Sequence, residues 1–313
     1  MATPKYVFMD DRIVPWNEGT VHVDTAAFKF GSAVFEGVRG YWNADEQEMY
    51  LFRMAEHMNR LVFSQRFMRY DEIITPEYVT EKTIELIRAN GIQGENVHIM
   101  TTTYVAGHGG QNVTGPIKLA ITAQERPRTA KITDGISAQV SSWMRVPDNA
   151  MPMRAKVNAN YQNGRLATLQ AVADDYDTAI LLNSRGKVAE GPGMCFFLVR
   201  DGVPITPHTS SDILESITRS TVLQLLEEMG TPAVEREVDR SELVAADEAF
   251  FCGTAWEVTP ITSIDKLAVG TGKVGPLTKK LQERYFDVCH GTSGAHPEWR
   301  APVYGAAKAN AAE

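Results

Sequence analysis

The chain has only three cysteines in 313 residues, Cys195, Cys252 and Cys289, widely spaced and with no CxxC pair. That excludes a disulfide scaffold and a cysteine-built zinc site, and it suits a reducing, cytoplasmic setting. Positive charge is also in short supply. Lys and Arg number 31 against 39 Asp and Glu, for a net charge of -8, whereas a nucleic-acid binder needs a basic face. No apolar run approaches the roughly 18 residues of a membrane span. The opening Met1-Ala-Thr-Pro-Lys-Tyr6 holds no apolar stretch of signal-peptide length. No internal repeat is visible, and no metal site, membrane or nucleic-acid partner is expected. What the chain does have is 43% hydrophobic residues, enough to bury a sizeable core.

Periodicity and turn residues set the element pattern. Two short strands flank a tight Asp10-Asp11 turn, and Phe30 to Tyr41 pairs with Glu48 to Phe52. Helices are expected at Ala55 to Phe67 and from Pro76 to Asn90, where Gly91 is the stop. Strands follow at Val97 to Val105, Ile117 to Thr122 and Ile136 to Ser142. A helix is expected at Gly164 to Asp174, then strands at Thr178 to Asn183 and Val188 to Val199. Beyond these come a helix at Ile217 to Met229, a strand at Glu248 to Gly253 and a helix at Pro276 to His290. Strands and helices mix without regular βαβ alternation, so the class is α+β. The expected division is a small domain over residues 1–125, a linker at 126–135 around Pro127, a large domain over 136–304 and a frayed tail at 305–313.

Lys156 is the most informative residue. It lies in Met151-Pro-Met-Arg-Ala-Lys-Val-Asn-Ala-Asn-Tyr161, among small and apolar neighbours. A desolvated lysine has a depressed pKa, and its neutral amine can form a Schiff base with an aldehyde cofactor. A structural lysine in a salt bridge is the commoner occupant of such a place, so the other motifs must decide. Pyridoxal phosphate would need a carboxylate for its ring nitrogen, a phosphate cup and a handle on its ring hydroxyl. Glu190, in Ala189-Glu-Gly-Pro-Gly193, is a carboxylate among glycines that let a ring approach the backbone. The amides of Ile217 and Thr218 open a helix, as phosphate cups prefer, and Thr254 follows a strand. Glu190 as a solvated turn residue and Ile217 as an ordinary helix start are the plainer alternatives.

Other chemistry is less well supported. Gly270-Thr-Gly-Lys-Val-Gly275 matches G-x-G-x-x-G, but Pro276 follows directly and no βαβ unit surrounds it. His208, Ser210 and Asp212 could suggest a hydrolase but lack a nucleophile elbow. Asn112-Val-Thr114 is a glycosylation sequon without meaning in a cytoplasmic chain.

Taken in order, Phe30-Gly-Ser-Ala-Val-Phe-Glu-Gly-Val-Arg-Gly-Tyr41, Glu56-His-Met-Asn-Arg-Leu61, Ser141-Ser-Trp-Met-Arg145, Lys156-Val-Asn-Ala-Asn-Tyr161, Ala189-Glu-Gly-Pro-Gly193, Ser216-Ile-Thr-Arg219 and Cys252-Gly-Thr-Ala-Trp-Glu-Val-Thr-Pro-Ile261 resemble the branched-chain amino acid aminotransferases of class IV. The resemblance covers about Tyr6 to Val303. It implies fold type IV, two α/β domains with pyridoxal phosphate at their interface, and a homodimer. It makes Lys156 the catalytic lysine, with Tyr161 on the ring hydroxyl, Glu190 on the ring nitrogen, and Arg60, Ile217, Thr218 and Thr254 on the phosphate. It places Phe30, Phe35, Arg39, His98, Thr254 and Ala255 toward the substrate. The implied activity is ping-pong transfer of an amino group from Leu, Ile or Val to 2-oxoglutarate, a step of branched-chain amino-acid biosynthesis.

The substrate segments depart from the family pattern. His98 and Met100 stand where a tyrosine and an arginine are usual, and Phe30 where a tyrosine is. Gln124-Glu-Arg-Pro-Arg128 replaces an aromatic wall, and Arg126 or Arg128 could hold a carboxylate. The related (R)-selective amine and D-amino acid transaminases, which differ in these segments, are the alternative. The Phe35-Glu-Gly-Val-Arg39 block favours the branched-chain group.

Overall fold

Asp10 and Asp11 both take positive φ, 48° and 67°, the left-handed pair that a two-residue hairpin needs. They join β1 (Tyr6–Met9) to β2 (Arg12–Pro15), antiparallel from Tyr6 opposite Pro15 to Met9 opposite Arg12. The computed structural model describes residues 3–305. Of the tail expected at 305–313, all but Gly305 lies outside the described residues.

The chain divides into two units. The first holds the described residues up to Pro127, the short segment Ala155–Ala159 and the stretch from Asp287 on. After the hairpin come α1 (Ala26–Phe30), β3 (Ala33–Asn43), β4 (Glu48–Phe52), α2 (Met54–Phe67), α3 (Pro76–Asn90), β5 (Val97–Val105) and β6 (Ile117–Glu125). One seven-stranded sheet runs in the order Arg300–Pro302, β4, β3, β5, β6, β1, β2, with every neighbouring pair antiparallel.

Local chemistry sets the ends of its helices. Thr75 accepts the Tyr78 N–H, Pro76 occupies the first turn, and Gly91 at φ 67° ends α3. Phe30, expected in a strand, instead ends α1. Thr25 caps that helix by accepting the Phe28 N–H and Gly31 at φ 67° stops it, so β3 begins at Ala33. The sheet's two faces differ because side chains alternate along each strand. Val34 and Val38 of β3, Ile99 of β5 and Leu119 and Ile121 of β6 pack with Met58, Leu61 and Leu86 of the helices in one buried core. Each such aliphatic contributes about 1.5–3 kcal/mol by leaving water. The other face carries Phe35, Gly37 and Arg39 of β3 and His98 and Met100 of β5, in register with one another.

The second unit holds Arg128–Arg154 and Asn160–Phe286. Its elements are α4 (Lys131–Asp134), β7 (Ile136–Val140), α5 (Tyr161–Ala173), β8 (Thr178–Ile180), β9 (Cys195–Arg200), β10 (Val203–Thr206), α6 (Ile217–Glu228), β11 (Val234–Glu235), β12 (Glu248–Gly253), β13 (Glu257–Ile264), β14 (Leu267–Ala268) and α7 (Pro276–His290), whose last residues belong to the first unit. The sheet order is β11-β10-β9-β12-β13-β7-β8, with β14 on β13. The β10–β11, β13–β7 and β7–β8 pairs are parallel and the others antiparallel. A mixed sheet of this kind is the α+β architecture expected from the sequence. Ile180, Phe196, Leu198, Phe251 and Ile261 centre its core.

Further details differ from the sequence reading. Within 126–135, residues 131–134 form α4, and the carbonyl of its buried Ile132 accepts from Gln282 Nε2 at 2.7 Å. The strand expected from Val188 starts at Cys195, because the Gly191-Pro-Gly193 turn intervenes and Val188 makes an isolated bridge to Leu182 instead of joining the strand. Strand β13 is not predicted at all. Its Pro260 argues against an internal strand, yet Pro260 sits opposite Phe250 in the ladder.

Candidate active site

Lys156 belongs to the first unit through the five-residue segment Ala155–Ala159, whose last two residues open a 3-10 helix. Ala155 and Val157 are each 1% exposed and insert into the core cluster, and Val157 bridges Val34 of β3. Alternation then turns Lys156 the opposite way. Its N–H donates to Ser64 Oγ at 3.0 Å and its carbonyl accepts the Phe35 N–H at 3.0 Å, while Nζ lies 4.6 Å from the Phe35 ring centroid. The small and apolar neighbours are therefore core anchors for the main chain. They do not enclose the lysine, whose side chain is half-buried.

Glu36, which sequence reasoning passed over, is wholly buried on the core face of β3. Arg60 of α2 donates to it from Nε at 2.7 Å and Nη2 at 2.8 Å, and His57 Nδ1 meets it at 2.7 Å. Burial alone would raise the Glu36 pKa, but the Arg60 charge and the hydrogen bonds from Arg60 and His57 outweigh it and pull the value down to about 2. Burial lowers the His57 pKa against the pull of Glu36, helped by the Arg60 and Lys156 charges. The signal that could have found His57 is its spacing: positions 57 and 60 share one helix face. Arg60, expected at a phosphate, is thus anchored on a carboxylate of its own unit.

Among the expected substrate residues, Phe35 and Arg39 are 8% and 2% exposed and stand on one face with half-buried His98. Arg39 Nη2 donates to the Arg126 carbonyl at 2.8 Å, and its guanidinium carbon lies 5.9 Å from the Tyr41 ring centroid. Burial, then the Arg126 and Arg39 charges, push the His98 pKa down to about 3, so its imidazole is neutral. Tyr104 is engaged elsewhere, donating to Asp10 Oδ1 at 2.9 Å. Phe30 stands 40% exposed at the end of α1.

In the second unit, Glu190 is 3% exposed. Arg145 Nη2 pairs with its Oε1 at 2.6 Å, and the Leu214 N–H donates to Oε2 at 3.3 Å. Arg145 is itself fixed, its N–H on the Leu182 carbonyl at 2.8 Å and Nε on the Asp212 carbonyl at 3.3 Å. Glu190 bridges Cys195, and Cys195 lies opposite Cys252, so the Glu190 turn and the end of β12 share one end of the sheet. Burial, with Cys195 nearby, raises the Cys252 thiol pKa well above its usual value. Thr254 and Ala255 follow β12 in half-buried positions. Leu214 leads toward α6, whose Ser216 cap accepts the Arg219 N–H at 3.2 Å. That leaves the Ile217 and Thr218 amides at the helix start, where anions are favoured. Tyr161, half-buried, begins α5. Gly164 of α5 packs on the same glycine-rich turn, and a Cβ there would meet the Pro192 carbonyl oxygen at 2.4 Å.

The rival motifs are engaged in other work. Glu248 takes the Leu277 and Thr278 N–H groups at 3.0 and 2.8 Å, filling the start of α7 with the protein's own carboxylate, and a Cβ on Gly275 would lie 2.0 Å from that side chain. No dinucleotide phosphate fits there. Ser210 meets His208 at 2.6 Å, but Asp212 Oδ1 accepts the Asp148 N–H instead of joining them. Among the described residues no helix is long and apolar enough to cross a membrane, and no three His, Cys, Asp or Glu side chains could hold a metal ion.

Residues 33–264 match the family model described as amino-transferase class IV. A probable branched-chain-amino-acid aminotransferase of Aquifex aeolicus is 39% identical over 305 residues, 96% of this chain and 97% of that one. Two crystal structures are similar throughout. The branched-chain amino acid aminotransferase of Thermobaculum terrenum, in its pyridoxal phosphate holo-form, has a TM-score of 0.89 and 43% identity over 96% of this chain and 98% of that one. The branched-chain aminotransferase of Thermoproteus uzoniensis, with norvaline, has a TM-score of 0.90 and 38% identity over 96% and 100%.

Proposed function

The chain belongs to the class IV aminotransferases, and from that premise we propose that it is a pyridoxal phosphate-dependent branched-chain-amino-acid aminotransferase. It moves the amino group of L-leucine, L-isoleucine or L-valine to 2-oxoglutarate in two alternating half-reactions. The observation that carries the reading is the presentation of Lys156. Its main chain is held at both polar groups, and its amine stands over Phe35 in the Phe35–Arg39 block.

The residues present fit the cofactor. Bound, it supplies an aldehyde that accepts the amino group and a ring that draws electrons from the substrate Cα. Glu190, held as a buried carboxylate by Arg145 and the Leu214 amide, keeps a proton on the ring nitrogen. The Ile217 and Thr218 amides, the Thr254 hydroxyl and Arg60 receive the phosphate, and Tyr161 the ring hydroxyl. Lys156 takes the proton from the substrate Cα and returns it at the cofactor's C4′ atom. Phe35, Arg39, His98 and Ala255 border the substrate. Exposed Phe28 and Phe30, both on α1, support a homodimer in which these rings are covered. We place the enzyme in the cytoplasm, on its three buried cysteines.

A donor panel tests the reading, with 2-oxoglutarate and pyruvate as acceptors and L-leucine, L-isoleucine, L-valine, D-alanine and both enantiomers of 1-phenylethylamine as donors. Preference for the L-branched donors is expected. Preference for D-alanine or the (R)-amine would overturn it.

A further inference from the structure

The face of the first unit's sheet that carries Phe35 also carries a polar cluster. The register sets Arg39 of β3, His98 of β5 and Gln124 of β6 in one row across three strands. Arg126 continues the ladder by one pair: its N–H donates to the Asn96 carbonyl at 2.7 Å and its own carbonyl accepts Arg39 Nη2 at 2.8 Å. Both main-chain groups of Arg126 are thereby fixed, and its side chain stands on the His98 side of the sheet. Arg126 and His98 are diagonal neighbours, a relationship of about 7–8 Å that long side chains span. The electrostatics agree with the geometry, since the Arg126 and Arg39 charges, with Lys156 behind them, add to burial in keeping His98 neutral. The row and its diagonal neighbour hold two guanidiniums, one imidazole, one amide and no carboxylate.

We propose that Arg126, with His98, receives the second carboxylate of a dicarboxylate substrate, the 2-oxo diacid and its amino counterpart, and that Arg39 positions Arg126. The proposal rests on the aminotransferase reading above. A guanidinium matches a carboxylate in shape and charge, while a branched aliphatic side chain asks nothing of it. One pocket can then take both substrate classes, with Arg126 engaged by only one of them.

The test uses the enzyme reconstituted with pyridoxal phosphate. KM and kcat are measured for 2-oxoglutarate and for the monocarboxylate 4-methyl-2-oxopentanoate, in wild type, Arg126→Gln, Arg126→Lys and Arg128→Gln. Binding of glutarate and of 4-methylpentanoate, neither of which turns over, is measured by calorimetry. Arg126→Gln raises the 2-oxoglutarate KM and the glutarate Kd by about tenfold or more, the worth of one charge-assisted contact, with the monocarboxylate values within about twofold. Arg126→Lys recovers part of the loss. Arg128→Gln changes neither, because that guanidinium lies 3.5 Å from the Phe286 ring centroid in the second unit. Equal changes for both acid classes, or none for either, overturn the subsite. A wild type that transaminates neither acceptor overturns the enzyme reading, and the glutarate to 4-methylpentanoate Kd ratio then still decides the subsite.

Discussion

Arg60 holds Glu36 through two nitrogens, Nε at 2.7 Å and Nη2 at 2.8 Å, and the carboxylate they grip is wholly buried. The pair fixes α2 on β3 and sets where the rest of the guanidinium points. Removing one partner of a buried ion pair leaves the other charge uncompensated, so Glu36→Gln should cost about 3–5 kcal/mol in urea unfolding. The same variant should bind pyridoxal phosphate more weakly, read by titrating the apoenzyme. Unchanged cofactor affinity in a variant that still folds would remove Arg60 from the phosphate site.

Lys156→Ala separates fold from chemistry. Its main chain is held by Ser64 and Phe35, and alanine keeps both of these contacts. The melting temperature should fall by no more than about 3 °C, as expected for a side chain outside the core. Turnover should drop by roughly a thousandfold or more, the range for a lost acid–base group, and the cofactor's visible absorbance band should disappear. A variant that retains that band would contradict the assignment.

Arg145→Gln tests the support of Glu190. The two are joined at 2.6 Å with side chains 8% and 4% exposed. Losing the guanidinium favours the protonated acid at Glu190 and weakens its hold on a ring proton. The cofactor's absorbance should then titrate at a lower pH than in wild type, and Arg145→Lys should restore part of the difference. A spectrum whose pH dependence stays put in Arg145→Gln would leave Arg145 with a purely structural role.

Acid should destabilise the protein in two stages. His98 is neutral when folded, with its pKa lowered from 6.5 to about 3, and His57 is lowered too. The unfolded chain therefore takes up protons first, and this contribution is full above pH 6.5 and is lost as pH falls toward 3. Glu36, lowered from 4.5 to about 2, contributes above pH 4.5 and is lost as pH falls toward 2. Each group adds a slope of up to about 1.4 kcal/mol per pH unit within its window. Urea midpoints should begin to fall near pH 6.5, and His98→Gln should flatten the first stage. A midpoint constant down to pH 4.5 would contradict it.

Much of this was legible in the sequence because the signals were local. The Asp10-Asp11 hairpin, the Pro76 and Gly91 punctuation of α3 and the opening of α6 at Ile217 each depend on neighbours within a few residues. The ordered motifs carried the family and the α+β class. What stayed hidden needed contacts across the chain. Glu36 gains its meaning only when α2 folds over β3 and brings Arg60 to it. The apolar company of Lys156 suggested enclosure, yet alternation sends Ala155 and Val157 into the core and the lysine away from them. Pro260 masked β13 because a pattern cannot show which partner tolerates a missing N–H.

The chain passes from one unit to the other four times, after residues 127, 154, 159 and 286. The first unit's core includes Val157 and Val303, and Arg300–Pro302 forms an edge of its sheet. Neither unit can therefore be lifted out as a cassette. A fragment ending at Pro127 lacks an edge strand and the core side chains of Ala155, Val157, Val303 and Tyr304, and a chimaera of two related genes with one crossover mixes parents inside at least one hydrophobic core. Lys156 and scaffold are woven from the same thread, so recombination that reassigns the one must reassign the other.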